Sequence, residues 1–197
     1  MVLPAGDHEL VQIVDAALAD VVHRAGSQLA CRPGCTQCCH GAFSIHALDV
    51  ARLREGMATL GRDQPALAAD LESRARAWLA KHGPNFPGDP QTGILGQSLE
   101  DQARFDDFAN DAPCPALDPA TGLCDVYAWR PMTCRVFGPP TRPEPEGPIG
   151  CCDLCFIEAT DDEIAACEMP VPHQLEQRLL QQVGPSGETV VAFALLP

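Results

Sequence analysis

Twelve prolines fall between Pro84 and Pro148, and no other feature limits the possible folds of this chain so strongly. Proline fixes φ and removes a backbone donor, so long helices and central strands are excluded from most of that stretch. One short helix, over about Ser98–Ala109, is compatible with it. An irregular region of this length is uncommon in a compact domain unless bonds other than backbone ladders hold it. The chain offers such bonds in its eleven cysteines, all of them between Cys31 and Cys167.

The flanking sequence predicts helices. From Asp7 to about Ser27, Leu10, Ile13, Val14, Ala17, Leu18, Val21 and Val22 repeat at three and four, with Asp7 as a possible N-cap. A second helix is expected from His46 to Leu60, stopped by Gly61. A third is expected from Asp63, with Pro65 in its first turn, burying Leu67, Leu71, Ala75 and Trp78 and ending at Gly83-Pro84. Thr160-Asp-Asp-Glu163 reads as a capping box opening a short helix toward Cys167, and Leu175, Leu179 and Val183 mark a last helix ended by Gly184-Pro185. The apolar tail Thr189–Leu196 has strand-like composition and is expected to dock on its own core as an edge strand. The predicted class is mainly α: a small helical domain with a long irregular Pro/Cys-rich region organised by metal. A length of 197 residues, 46% hydrophobic, suits one core. The expected organisation is therefore one domain over 1–197, with a cysteine core at 31–155 and flanks at 1–30 and 156–197.

A net charge of -14 and a single lysine, Lys81, disfavour nucleic acid as a partner, since a phosphate-binding surface needs a basic patch. The same field disfavours a membrane surface, and no apolar run reaches the roughly 18 residues of a membrane span. The acidity lies mainly at 85–170, which suits a solvated surface or one that attracts cations or a basic protein partner. With no basic and then apolar leader at the start, the expected compartment is the reducing cytoplasm. There, eleven cysteines are more naturally metal ligands or redox groups than disulfides.

The densest cluster is Cys31-Arg-Pro-Gly-Cys35-Thr-Gln-Cys38-Cys39-His40. Two sulfurs two or three residues apart converge on one ion when the backbone turns between them, and Cys31, Cys35 and Cys38 have that spacing. Adjacent side chains usually diverge, so one member of Cys38-Cys39 is expected to reach a second metal, bridge two metals or stand idle. Cys151-Cys152, followed by Cys155, repeats the pattern, and the two doublets suggest two metals or a polynuclear site. Cys114, Cys124 and Cys134 sit in rigid or turn-rich settings that lower the entropy lost on ligation. Arg130 and Arg135 flank Cys134, where guanidiniums would lower a thiol pKa, or they pair with acids such as Asp125 and Asp153. His40 is a ligand or second-shell candidate. Cys167 reads as a buried small hydrophobe rather than a ligand.

The order Cys31-x3-Cys35-x2-Cys38-Cys39, then Cys114-Pro115-Ala116-Leu117-Asp118, then Gly122-Leu123-Cys124-Asp125-Val126-Tyr127-x2-Arg130-Pro131-x2-Cys134-Arg135-Val136-Phe137, resembles the CxxCxxCC cysteine-cluster family, the YkgJ-like group of zinc- or iron-chelating proteins. Cys31-x3-Cys35 is one residue longer than the usual C-x2-C of that family. The resemblance implies zinc or iron held by the cysteines over about 31–155 and brings no established reaction.

Three functions stay open on the sequence. The chain is a metal-binding protein chelating zinc or iron, a redox enzyme or electron carrier using iron or an iron–sulfur cluster, or a zinc-stapled adaptor for a protein partner. A pocket formed by Arg130, Arg135 and His40 would favour the enzyme. Both metals accept thiolates, so the sequence does not choose between them.

Overall fold

The first helix, α1 (Asp7–Ala25), follows its apolar repeat and buries Leu10, Val14 and Val21. It is seen in a computed structural model that describes residues 2–143, 146–184 and 186–197. Asp7 is not its cap. Gly6 holds that position, the Leu179 side chain packs directly over it, and Asp7 is the buried first helical residue, its N–H donating to the Pro4 carbonyl.

The second helix, α2 (Ala47–Asp63), runs through Gly61. One exposed glycine costs a helix only about 1 kcal/mol relative to alanine, which burial of Leu53 and Leu60 outweighs. The stop comes from Pro65, which forces Gln64 out of helical geometry (φ -142, ψ 64) and occupies the first turn of α3 (Pro65–His82). A short α4 (Leu99–Asp106) is capped by Ser98, whose hydroxyl accepts from the Asp101 N–H at 3.1 Å. Strands β1 (Gly88–Asp89) and β2 (Ile94–Leu95) form an antiparallel ribbon. The remaining helices are α5 (Met132–Val136), α6 (Asp161–Ala166), α7 (His173–Val183) and α8 (Val191–Ala194). Thr160 and Glu163 form the expected capping box on α6. Gly184 follows α7, while Pro185, expected to help end it, lies outside the described residues. The mainly α class is thus what the chain adopts. Among the described residues no helix is long and apolar enough to cross a membrane.

The chain divides into two compact units. The first comprises Met1–Leu3, Thr36–Pro131 and Val183–Pro197. In it α2, α3 and α8 pack around Leu53, Leu60, Leu71, Ala75, Val191 and Leu195, and Ala116 and Val126 from the Pro-rich region join that core. The tail does dock on this core, but as the helical turn of α8. Only Thr189 pairs in strand fashion, with Ile45, because wedging between α2 and α3 buries more of Val191, Ala194 and Leu195 than an edge position could.

The first part of the proline-rich region contains no cysteine before Cys114 and is held by rings. Phe86 lies 5.7 Å from Phe108 and 5.0 Å from Phe193, both edge-on, and Trp78 meets Phe108 at 5.8 Å. Phe86, Leu95, Phe108 and Val190 are buried there. This apolar cluster does for residues 86–108 what metal was expected to do for the whole stretch.

Gly56 of α2 fixes the next segment, a 3-10 turn at Tyr127–Trp129, against the core. A Cβ at Gly56 would stand 2.6 Å from ring carbons of Trp129. Gly56→Ala gains helix propensity worth about 1 kcal/mol but forces the indole off the helix. The expected net is a destabilisation of about 1–3 kcal/mol in denaturant unfolding, and an unchanged or raised midpoint would contradict this packing.

The second unit comprises Pro4–Cys35 and Met132–Gln182. Its core joins Val21, Ala25 and Leu29 to Cys152, Cys155, Phe156, Cys167 and Met169, and α5 packs on α1. Arg135 is buried here, its guanidinium gripping the Asp15 carboxylate at 2.7 and 3.0 Å.

Candidate metal centre

In the first unit Cys38 and Cys39 lie in a 3-10 turn, Gln37–Cys39, that the Cys39 N–H closes onto the Thr36 carbonyl at 2.8 Å. The chain then pairs with the loop carrying Cys114: His40 bridges Pro113, the Cys114 N–H donates to the Cys39 carbonyl at 2.7 Å, and the Gly41 N–H to that of Ala112 at 2.9 Å. Gly41 has φ +95, and a Cβ there would crowd the Asn110 carbonyl, so the pairing depends on glycine. Cys124 enters through a bridge to Leu117, in a turn closed by Asp118, whose carboxylate accepts from the Ala120 N–H and the Thr121 hydroxyl. Arg74 of α3 pairs with Asp125, anchoring this loop to the helices.

These contacts gather Cys38, Cys39, Cys114 and Cys124. The Cys38 and Cys39 side chains hydrogen-bond to each other. The Cys38 thiol is held down to about 6, chiefly by the hydrogen bond from Cys39, against burial and with help from the Arg130 guanidinium. Cys39 is pushed well up, first by donating that bond, then by burial and by repulsion from Cys38, Cys114 and Cys124. Burial pushes Cys114 up to about 12, with Cys124 adding to it. Cys124 is also raised by burial, which Arg130 opposes. Arg130 stacks on Tyr127 with its guanidinium carbon 4.2 Å from the ring centre, which aims its charge at this group.

In the second unit a separate group forms. The Cys31 and Cys155 side chains hydrogen-bond, as do those of Cys152 and Cys155, and Cys35 lies within electrostatic reach of Cys31 and Cys152. Burial, then the Cys155 thiol, pushes Cys31 up to about 12. Cys151, half-buried beside Cys155 and Asp153, is raised by burial first. Cys134 stands half-buried on α5, and Cys167 is buried at the end of α6 within the second core. His40 is exposed, its Nδ1 3.0 Å from the Thr36 carbonyl oxygen. Arg130 belongs to the first unit and Arg135 to the second, so the two are described with different groups.

Of the three cysteines expected in one chelate loop, Cys31 and Cys35 belong to the second unit and Cys38 to the first. Spacing could not reveal this, because the boundary falls between Cys35 and Thr36 with no composition shift. Arg74 was missed as an anchor. Its only sequence signal is its place on α3 among apolar positions facing the core.

The eleven cysteines, all among the described residues, form no disulfide. Among the described residues, no three Cys, His, Asp or Glu side chains already converge as the ligands of one ion do. In the first group the Cys39 thiol instead donates a hydrogen bond to Cys38. The donor set nevertheless suits zinc or iron: four soft sulfurs from three chain segments, partly buried, one already ionised near neutral pH, with a guanidinium to offset charge.

A family model, CxxCxxCC, described as "Putative zinc- or iron-chelating domain", matches residues 30–147. Comparison with curated proteins and with solved structures gave no match.

Proposed function

The chain belongs to the CxxCxxCC family, and on that premise we propose that it chelates zinc or iron through Cys38, Cys39, Cys114 and Cys124. The observation that carries this reading is the position of Cys39. From within the signature its sulfur is coupled to the neighbouring Cys38 and to Cys114 and Cys124, which arrive from two distant loops. A bound ion would add four strong bonds where the backbone offers only isolated bridges, tying the loops to the α2–α3 core. Arg130 serves as the fixed counter-charge, held by Tyr127 and acting on Cys38 and Cys124.

A closed set of four thiolates suits a structural or carrier role more than catalysis, which needs an open ligand position. The same sulfurs suit an iron–sulfur cluster. The redox reading stays second, since Arg135, one of the residues expected to favour it, is buried against Asp15.

Only thiolates ligate, so loading must release protons. Near neutral pH Cys38 is already ionised, while Cys39, Cys114 and Cys124 keep theirs. Each zinc ion entering this group should therefore release about three protons at pH 7. Affinity rises with pH, by about three decades per unit there, and steepens as pH falls below about 6, where Cys38 also binds a proton. Calorimetry of zinc binding to a chain with only these four cysteines, in buffers of different ionisation heat, measures the release. Binding without proton release would refute thiolate chelation.

A further inference from the structure

We infer that the second unit holds a metal site of its own, formed by Cys31, Cys35, Cys152 and Cys155, so that the chain carries two ions in separate four-thiol sites. This rests on the chelating reading above but extends it beyond the matched residues, since Cys152 and Cys155 lie outside 30–147.

The group is built as a site rather than assembled by chance burial. Cys152 and Cys155 form a C-x2-C turn closed by the Cys155 N–H donating to the Cys152 carbonyl at 2.8 Å. Two further bonds aim that turn at the loop of Cys31: the Cys152 N–H donates to the Gly138 carbonyl at 3.1 Å, and the Phe156 N–H to that of Gln28 at 2.9 Å. On the other side the Cys35 N–H donates to the Arg32 carbonyl at 2.9 Å, folding Cys31-x3-Cys35 back on itself through Gly34 at φ +89. The extra residue in this spacing thus forms the turn that brings Cys35 round to Cys31.

Two backbone features are otherwise unexplained. Phe156, directly after Cys155, has φ +55, a conformation costly for a large side chain. Gly138, at φ +123, lies against Cys31, and a Cβ there would collide with its sulfur. Both lie at the sulfurs: Gly138 leaves room for that of Cys31, and Phe156 follows Cys155, which hydrogen-bonds Cys31 and Cys152, while Cys35 acts on Cys31 and Cys152. A core of ordinary buried thiols needs no such arrangement, as Cys167 shows at the end of α6. Four sulfurs on two paired turns are the donor set of a tetrahedral zinc or iron site.

The test uses the full chain, reduced and made metal-free, then loaded anaerobically with zinc. Elemental analysis should give two ions for the native sequence and one for Cys152→Ser/Cys155→Ser. Independently of whether that variant folds, zinc should slow alkylation of the half-buried Cys31 and Cys35 in the native sequence at least tenfold, reversed by a strong chelator and read by mass spectrometry. One ion per chain with zinc protecting Cys38 and Cys39 but not Cys31 and Cys35 would overturn the second site and leave the first intact. No bound zinc and no protection anywhere would overturn the chelating reading itself. A Cys31–Cys155 disulfide in anaerobically prepared, unreduced protein would also overturn the second site, in favour of a redox pair.

Discussion

Stripping the metal with a strong chelator is expected to make the chain cleavable by protease at about 110–131 and 146–155 while α1, α2 and α3 stay protected. The helices keep apolar cores of their own, with Leu10, Leu48, Leu53 and Leu71 fully buried. The loops do not. Residues 113–125 are attached by the bridges His40 to Pro113 and Leu117 to Cys124, the Arg74–Asp125 pair and the burial of Ala116 and Val126. Against this stands a backbone ordering cost of about 1–2 kcal/mol per residue. Structural zinc contributes about 10–16 kcal/mol of apparent binding free energy in small thiolate sites, enough to decide the balance. Residues 86–108 should resist in both states because their ring cluster needs no ion. Limited proteolysis with and without chelator, read by mass spectrometry, checks this, and equal protection at 110–131 would show that metal is not the scaffold there.

The double substitution Cys38→Ser/Cys124→Ser should remove the ion of the first unit, weakening zinc binding there by more than a hundredfold. It deletes the sulfur already ionised near pH 7 together with one of its partners. Serine hydroxyls do not ionise in the neutral range and are poor ligands for a soft site. Cys167→Ser should leave the metal content unchanged, because Cys167 packs among Ala25, Met169 and Phe156 as a small apolar group. Competition with a chromophoric chelator gives both values. Full retention of metal by the double variant would refute the assignment.

The helices were legible in the sequence wherever burial repeats every three or four residues, as in α1, α2, α3 and α7, and so was the capping box at Thr160. Their ends were less so. Gly61 looked like a stop, yet the nearby Pro65 decides where α2 ends, because a proline restricts the residue before it more firmly than an exposed glycine ends a helix. The tail read as a strand because Thr, Val and Phe favour sheets, but beyond Thr189 it packs as a helical turn against α2 and α3.

The cysteines were legible as a set but not as groups. Cys35 and Cys38, near neighbours by spacing, belong to different units. Cys38 and Cys39 share a 3-10 turn and their side chains hydrogen-bond, a contact that spacing alone does not reveal. Which distant loop meets which half of the signature depends on pairing at Pro113 and at Gly138, and local pattern carries no trace of that.

X-ray absorption at the metal edge of anaerobically purified native protein tests the central claim most directly. Chelation by clustered thiolates predicts a first shell of four sulfurs per ion, at about 2.3 Å if the metal is zinc. A first shell dominated by oxygen or nitrogen at about 2.0–2.1 Å would contradict it.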